Sequence, residues 1–436
     1  MHRLRGLNRK LRLVGLAILA FSVVAAGVVL LAAPARSAQA LPSTPPVPTE
    51  PQSMAPDADK YVVIGWNDLG MHCMNEGFAN LAVLPPYNTL WAQVIRQGTR
   101  PEVITRSVKI DYSILDNTSS VGKTDFWTYA KPLFGVDLAP DVGLTGATLA
   151  GTMHAAPDHF TIEGVPLTPY RDSAPQPGPA NWYPYQLAHM IARDTATGQK
   201  LAETTTVAPV STEMRCDYCH KDGQREGIRT GNVETNILTL HDKEEGTNLM
   251  GQRPVLCAKC HGSNALGMPG NPELPNLSLA MHRRHEEVTR TSSDCYKCHP
   301  GQQTQCLRDV MYQRGLDCTD CHGSAAEVAN PARRPWIDLP RCATCHAAQF
   351  AENPGKRYRD SVGHGGLYCE ACHGSPHAIL PTNQANDNLQ NVALQGHAGT
   401  LNDCTVCHGA TLPSGPGPHG LDSSLRTRLY LPLLVK

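Results

Sequence analysis

The chain has 436 residues, 41% of them hydrophobic but only 6% aromatic, and a formal charge of −1. Its length accommodates two or three domains, and the scarcity of aromatic side chains excludes one large apolar core running through all of it. No basic stripe is present, which excludes a nucleic-acid-binding surface.

Residues 1–40 read as an export segment. Arg3, Arg5, Arg9, Lys10 and Arg12 form a basic start, an apolar run follows from Leu13 to Ala33, and Ala38-Gln39-Ala40 is a small-x-small cleavage site. The 21-residue run is also long enough to span a bilayer, so the alternatives are cleavage after Ala40 or retention of residues 13–33 as a membrane anchor. Either one puts the rest of the chain outside the cytoplasm, in the periplasm or at the cell surface. The first 40 residues carry six positive charges and no negative ones, so the remainder carries −7 against −1 for the whole.

Residues 41–58 hold six prolines and read as a stiff linker. Residues 59–212 read as a β-rich, sandwich-like domain. Lys60–Trp66 is a strand candidate, and Val103–Leu115 alternates apolar and polar residues. Phe160-Thr161-Ile162 runs into a turn at Glu163-Gly164. Gln186–Val207 reads as a hairpin folded about Asp194–Gly198. From Cys216 the strand patterns stop. Helices are expected at Leu279–Arg290 and Gln302–Arg314, with loop elsewhere, and residues 413–436 form a tail whose apolar end suits an edge strand or a sorting signal.

Within residues 213–412 the pattern Cys-x-x-Cys-His recurs seven times. In chain order the motifs are Cys216/Cys219/His220, Cys257/Cys260/His261, Cys295/Cys298/His299, Cys318/Cys321/His322, Cys342/Cys345/His346, Cys369/Cys372/His373 and Cys404/Cys407/His408. On one helical turn the two thiols share a face and can add to the two vinyl groups of a haem, while the histidine reaches the iron. Zinc sites also use paired Cys-x-x-Cys, but they do not require histidine directly after the second cysteine. Residues 213–412, with segments such as Cys369–His377 (CEACHGSPH), resemble the multihaem c-type cytochromes of respiratory and extracellular electron transfer. The resemblance implies seven haems c, electron transfer and closely stacked cofactors. Seven motifs over 193 residues leave about 28 residues for each, too few to insulate one haem from the next.

Seven further histidines lie in this part of the chain: His241, His282, His285, His364, His377, His397 and His419. They match the expected irons in number, which favours bis-histidine ligation throughout, with His419 the weakest candidate and Met311 a rival ligand. In the N-terminal half, Met71-His72-Cys73-Met74 with His154 and His159 offers a copper-like donor set, and His72 is an alternative cap for the first haem. Cys73 and Cys306 are left over and suit a disulfide in an exported protein. The expected function is an electron carrier without turnover chemistry. The alternative is a multihaem reductase of a small nitrogen or sulfur oxyanion with one open iron. Expected partners are redox proteins or extracellular acceptors, and self-assembly is a further expectation.

Overall fold

The computed structural model describes residues 60–410 and 415–421, which belong to one compact unit. The export segment, the proline-rich linker and the apolar chain end lie outside the described residues. β-sheets occupy residues 61–212, and a helix-and-loop region carrying the cysteine motifs follows. Among the described residues no helix is long and apolar enough to cross a membrane.

Two five-stranded sheets pack against each other. One runs Tyr61–Asn67, Thr89–Arg96, Phe160–Glu163, His154–Ala155, with Glu102–Ile104 also paired to Thr89–Arg96. The other runs His72–Cys73, Lys200–Ser211, Tyr185–Asp194, Val108–Leu115, Ala150–Thr152. Period-two patterning explains the core. In Val108–Leu115 the residues Val108, Ile110, Tyr112 and Ile114 are buried, while their neighbours are not. The helix Phe126–Phe134 adds Phe126, Ala130 and Leu133 to the same core at helical spacing.

The expected hairpin is present as Tyr185–Asp194 and Lys200–Ser211. Its turn is locally determined: the Asp194 carboxylate accepts the amides of Ala196 (2.9 Å) and Thr197 (2.8 Å), and Gly198 takes φ +72°. The expected continuous run Val103–Leu115 is instead two strands, because Ser107 turns the chain at φ +63°.

Strand Tyr61–Asn67 is buried on both faces. Val63 points into the sandwich, whereas Val62, Ile64 and Trp66 pack against Tyr368, Ala371 and Val406 of the cysteine-rich region. The Gly65 amide donates to Gln390 Oε1 (2.7 Å), which also accepts from Thr204 Oγ1 (2.9 Å). Gly70 takes φ +73° where its backbone meets Pro376, and a Cβ there would lie 1.9 Å from the Pro376 oxygen. The sandwich is therefore one wall of the cysteine-rich region.

That region contains short helices, of which Val233–Glu245, Leu277–His285 and Ala385–Gln395 are the longest described. The first two start at Asn232 and Asn276, whose side chains accept the amides of Thr235 and Leu279. The helix expected at Gln302–Arg314 shrinks to Val310–Gln313. Its would-be first turn has another partner: the buried Glu213 carboxylate accepts the amides of Gly301, Gln302, Gln303 and Thr304. The helix starts only where Asp309 caps the amides of Met311 and Tyr312.

Candidate functional site

Each motif folds as a single turn. In five of them the histidine amide donates to the carbonyl of the first cysteine at 2.8–2.9 Å, and the other two form the helices Cys318–His322 and Cys369–His373. The turn sets both thiols and the imidazole on one side. Gly374 ends the sixth turn at φ +85°, where a Cβ would meet the Ala378 carbonyl oxygen at 2.6 Å.

Six motif histidines each face a histidine from elsewhere in the chain. The pairs are His220–His285 at 6.2 Å between ring centres, His261–His241 at 6.4 Å, His299–His282 at 6.1 Å, His322–His377 at 5.9 Å, His373–His419 at 5.9 Å and His408–His364 at 6.0 Å. Two metal–imidazole bonds of about 2 Å, with about 1.1 Å from nitrogen to ring centre, separate two rings by about 6.3 Å. The spacing fits an iron between each pair. His282 and His285, three apart on one helix, face His299 of the third motif and His220 of the first. His377 and His419 hold left-handed backbone at φ +66° and +59°, a conformation that costs a non-glycine residue energy and clusters at functional sites.

Backbone carbonyls orient several of these rings. His261 Nδ1 donates to Pro275 O (2.9 Å), His282 to Ser278 O (2.7 Å), His285 to Met281 O (2.7 Å), His408 to Thr99 O (3.2 Å) and His419 to Gln349 O (2.8 Å). A carbonyl only accepts, so Nδ1 carries the proton and the Nε2 lone pair is left for a metal. Burial, reinforced by neighbouring histidines, pushes His299, His322 and His373 down to about 4, which keeps them in the neutral, ligating form at pH 7.

A continuous cavity of about 3550 Å³ runs through this region, and the third to seventh motifs line it with both cysteines and the histidine. Neighbouring motifs share thiol surroundings. Cys216 and Cys219 of the first lie within electrostatic reach of Cys298 of the third, and Cys295 is within hydrogen-bonding reach of Cys318. Cys321 reaches Cys345, Cys342 reaches Cys369, and Cys372 reaches Cys407. The first, third, fourth, fifth, sixth and seventh motifs thus form a line. The second sits beside the first through the helix Val233–Glu245: Asn236 donates to the His220 carbonyl (2.9 Å), and His241 of the same helix faces His261.

The second motif stands apart: Cys257, Cys260 and His261 do not border the cavity. The cause is the seating of the second motif on the sandwich. Val255–Leu256 pairs in parallel with Leu81–Ala82, Ala258 is buried in the sandwich core, and Lys259 Nζ donates to the Pro132 carbonyl (3.0 Å). With Ala258 directed inward, the turn Cys257–Lys259 sits on the sandwich and outside the cavity lining.

The remaining sequence candidates fall elsewhere. His72 Nε2 bonds the Asp68 carboxylate (3.1 Å) and its ring lies near Tyr87. His159 stacks on Trp91 at 4.3 Å, and His154 is exposed on a sheet edge, so neither converges with Cys73. Among the described residues no group of three or more His, Cys, Asp or Glu is arranged to hold a bare metal ion. Met311 lines the cavity from the turn Val310–Gln313. Cys73 and Cys306 are free thiols near each other, not a disulfide, and Cys306 Sγ lies 3.7 Å from His377 Nδ1. His397 is exposed, with Nδ1 against the Ala398 carbonyl (3.0 Å).

Sequence reasoning missed Glu370, inside the sixth motif. It is fully buried, with the Trp66 indole beside its carboxyl. Burial and the neighbouring Asp68 push its carboxyl well above the usual carboxylate range, against the pull of Arg359. Because folding retains this proton, it is favoured below the unfolded value of about 4.3 and progressively less as pH rises through the folded value. Glu370→Gln is therefore expected to flatten the fall in urea midpoint between pH 5 and pH 8. Identical slopes in both proteins would remove Glu370 as the cause.

Residues 326–374, which hold the fifth and sixth motifs, match the family described as cytochrome c554 and c-prime. The match supports a c-type cytochrome carrying haem c and serving electron transfer. No curated protein and no solved structure matches the chain.

Proposed function

We propose that this chain is an exported heptahaem cytochrome c that carries electrons between redox partners along a line of covalently bound haems. The observation that carries this reading is the set of six histidine pairs at iron-spanning distance, each pairing a motif histidine with one from another segment. Cysteine pairs Cys216/Cys219, Cys257/Cys260, Cys295/Cys298, Cys318/Cys321, Cys342/Cys345, Cys369/Cys372 and Cys404/Cys407 each hold one haem by two thioethers, and the following histidine binds its iron. His285, His241, His282, His377, His419 and His364 supply the opposite ligands of all but the fifth haem. Two imidazoles close an iron to substrates and favour low potentials, which suits transfer without turnover.

The thiol neighbourhoods support a path in the order second, first, third, fourth, fifth, sixth, seventh haem. The second motif lies outside the cavity that the third to seventh motifs line, so the second haem ends the path, where it meets a partner. Haems occupying the cavity supply the apolar interior that the aromatic-poor sequence lacks. Export accords with the basic-apolar start of the chain, whether that segment is cleaved or kept as an anchor, and the partners are then periplasmic redox proteins or extracellular acceptors.

Intact mass of the exported protein is expected to exceed the polypeptide mass by seven haems, with a matching pyridine haemochrome count. Bound zinc, or fewer haems in fully matured protein, would overturn this reading.

A further inference from the structure

We infer that Cys306, one of the two cysteines outside the seven motifs, is the hydrogen-bond acceptor that positions His377 on the fourth haem and holds that haem's potential down. This rests on the heptahaem reading above, in which His377 binds the iron opposite His322, at 5.9 Å between ring centres. Cys306 Sγ lies 3.7 Å from His377 Nδ1. With Nε2 turned to an iron, Nδ1 carries the proton and donates to the sulfur. Among the described residues no other paired ring has a sulfur partner. Those with an Nδ1 partner bond oxygen: five meet backbone carbonyls, and His241 and His373 meet the hydroxyls of Thr247 (3.0 Å) and Thr400 (3.4 Å).

The contact is held from both sides. The buried Arg308 ties down the sulfur's residue and the imidazole's residue at once: its Nη1 donates to the Cys306 carbonyl (3.0 Å), and its amide donates to the His377 carbonyl (3.0 Å). The Cys306 amide donates to the Pro300 carbonyl (3.1 Å). His377 takes its left-handed backbone, φ +66°, beside the close approach of Pro376 to Gly70. Met71, Tyr185 and Val207 form an apolar wall against Cys306. In such surroundings little water competes for the hydrogen bond, which acts more strongly on the ring than it would in solvent. An acceptor on Nδ1 makes the imidazole a more basic ligand, which favours ferric iron, and hydrogen bonding of this kind is one of the levers on haem potential. Cys306 acts through His377 and does not bind the iron itself. The fourth haem stands midway on the proposed path, so every electron passing from the third to the fifth crosses the step whose height Cys306 sets.

The test uses holoprotein whose seven haems have been counted, with His377→Ala as the companion variant. His377→Ala is expected to make one haem high-spin; if it does not, the ligand reading fails before Cys306 is in question. Cys306→Ala is expected to keep the low-spin content of the native protein, to raise one of the midpoint potentials in a spectroelectrochemical titration and to shift the g-values of one ferric haem. Cys306→Ser, whose hydroxyl is also an acceptor, is expected to recover part of both shifts. Cys73→Ala removes the neighbouring thiol and is expected to leave the midpoints where they are. Thiol titration of the denatured holoprotein is expected to find two free thiols per chain, those of Cys73 and Cys306. Unmoved midpoints and g-values in Cys306→Ala would overturn the inference. So would equal shifts in Cys73→Ala, and so would the absence of free thiols, since the sulfur would then belong to a disulfide.

Discussion

His364→Ala is expected to convert one low-spin haem to high spin and to add one CO-binding site per chain. His364 faces His408 of the seventh motif at 6.0 Å, and His408 Nδ1 is held by the Thr99 carbonyl at 3.2 Å. That bond fixes the ring and leaves Nε2 for iron, so removing His364 takes one ligand and leaves the other in place. His364 lies in a short turn, His364–Gly366, and is exposed, so the fold should lose less than about 1 kcal/mol. His72→Ala is the matched control. His72 borders the same cavity, but its Nε2 is engaged by Asp68, and its loss should leave the haem spectrum unchanged. Electron paramagnetic resonance of the ferric protein and CO titration of the reduced protein read the outcome. An unchanged low-spin spectrum in His364→Ala would remove this residue as a ligand.

What the sequence made legible was local. Seven motifs could be read because two thiols and an imidazole within five residues need only one helical turn to act together. The hairpin about Asp194–Gly198 was equally legible, since one carboxylate and one glycine determine its turn. Pairings across the chain were not. That His377 stands opposite His322, or His364 opposite His408, depends on loops that pack only in the assembled region. The place of the second motif outside the cavity was hidden for the same reason, because it follows from the pairing of Val255–Leu256 with Leu81–Ala82 far upstream. His419 looked weak because it lies in a Gly/Pro-rich tail, yet the Gln349 carbonyl orients it toward His373. Equal numbers of motif and spare histidines suggested a complete set of pairs. The structure forms six of them and leaves His346 and His397 apart. The misread helix at Gln302–Arg314 has the same origin, because its first amides go to Glu213, about 90 residues upstream in the chain.

Arg308→Met is expected to produce the largest loss of stability of any single substitution considered, about 3–5 kcal/mol. Arg308 is fully buried, and its Nε and Nη2 donate to both oxygens of Asp387 at 2.6 and 2.8 Å. Its Nη1 donates to the carbonyls of Gly70 (2.8 Å) and Cys306 (3.0 Å), and the guanidinium lies 4.9 Å from the Tyr185 ring centre. One side chain thus joins the sandwich, the third-to-fourth motif linker and the helix Ala385–Gln395. Methionine fills much of the same volume but leaves Asp387 charged, buried and held only by the Thr382 hydroxyl. Most of the cost is that orphaned charge, so Arg308→Met/Asp387→Leu should recover more than half of it. The effect should reach the haems. The Arg308 amide donates to the His377 carbonyl (3.0 Å), and His377 is the proposed ligand opposite His322. Arg308→Met should therefore lower the urea midpoint and raise the high-spin fraction of one haem, while the double variant largely restores both. A single variant within about 1 kcal/mol of the native protein would mean that the sandwich and the haem region are held together elsewhere.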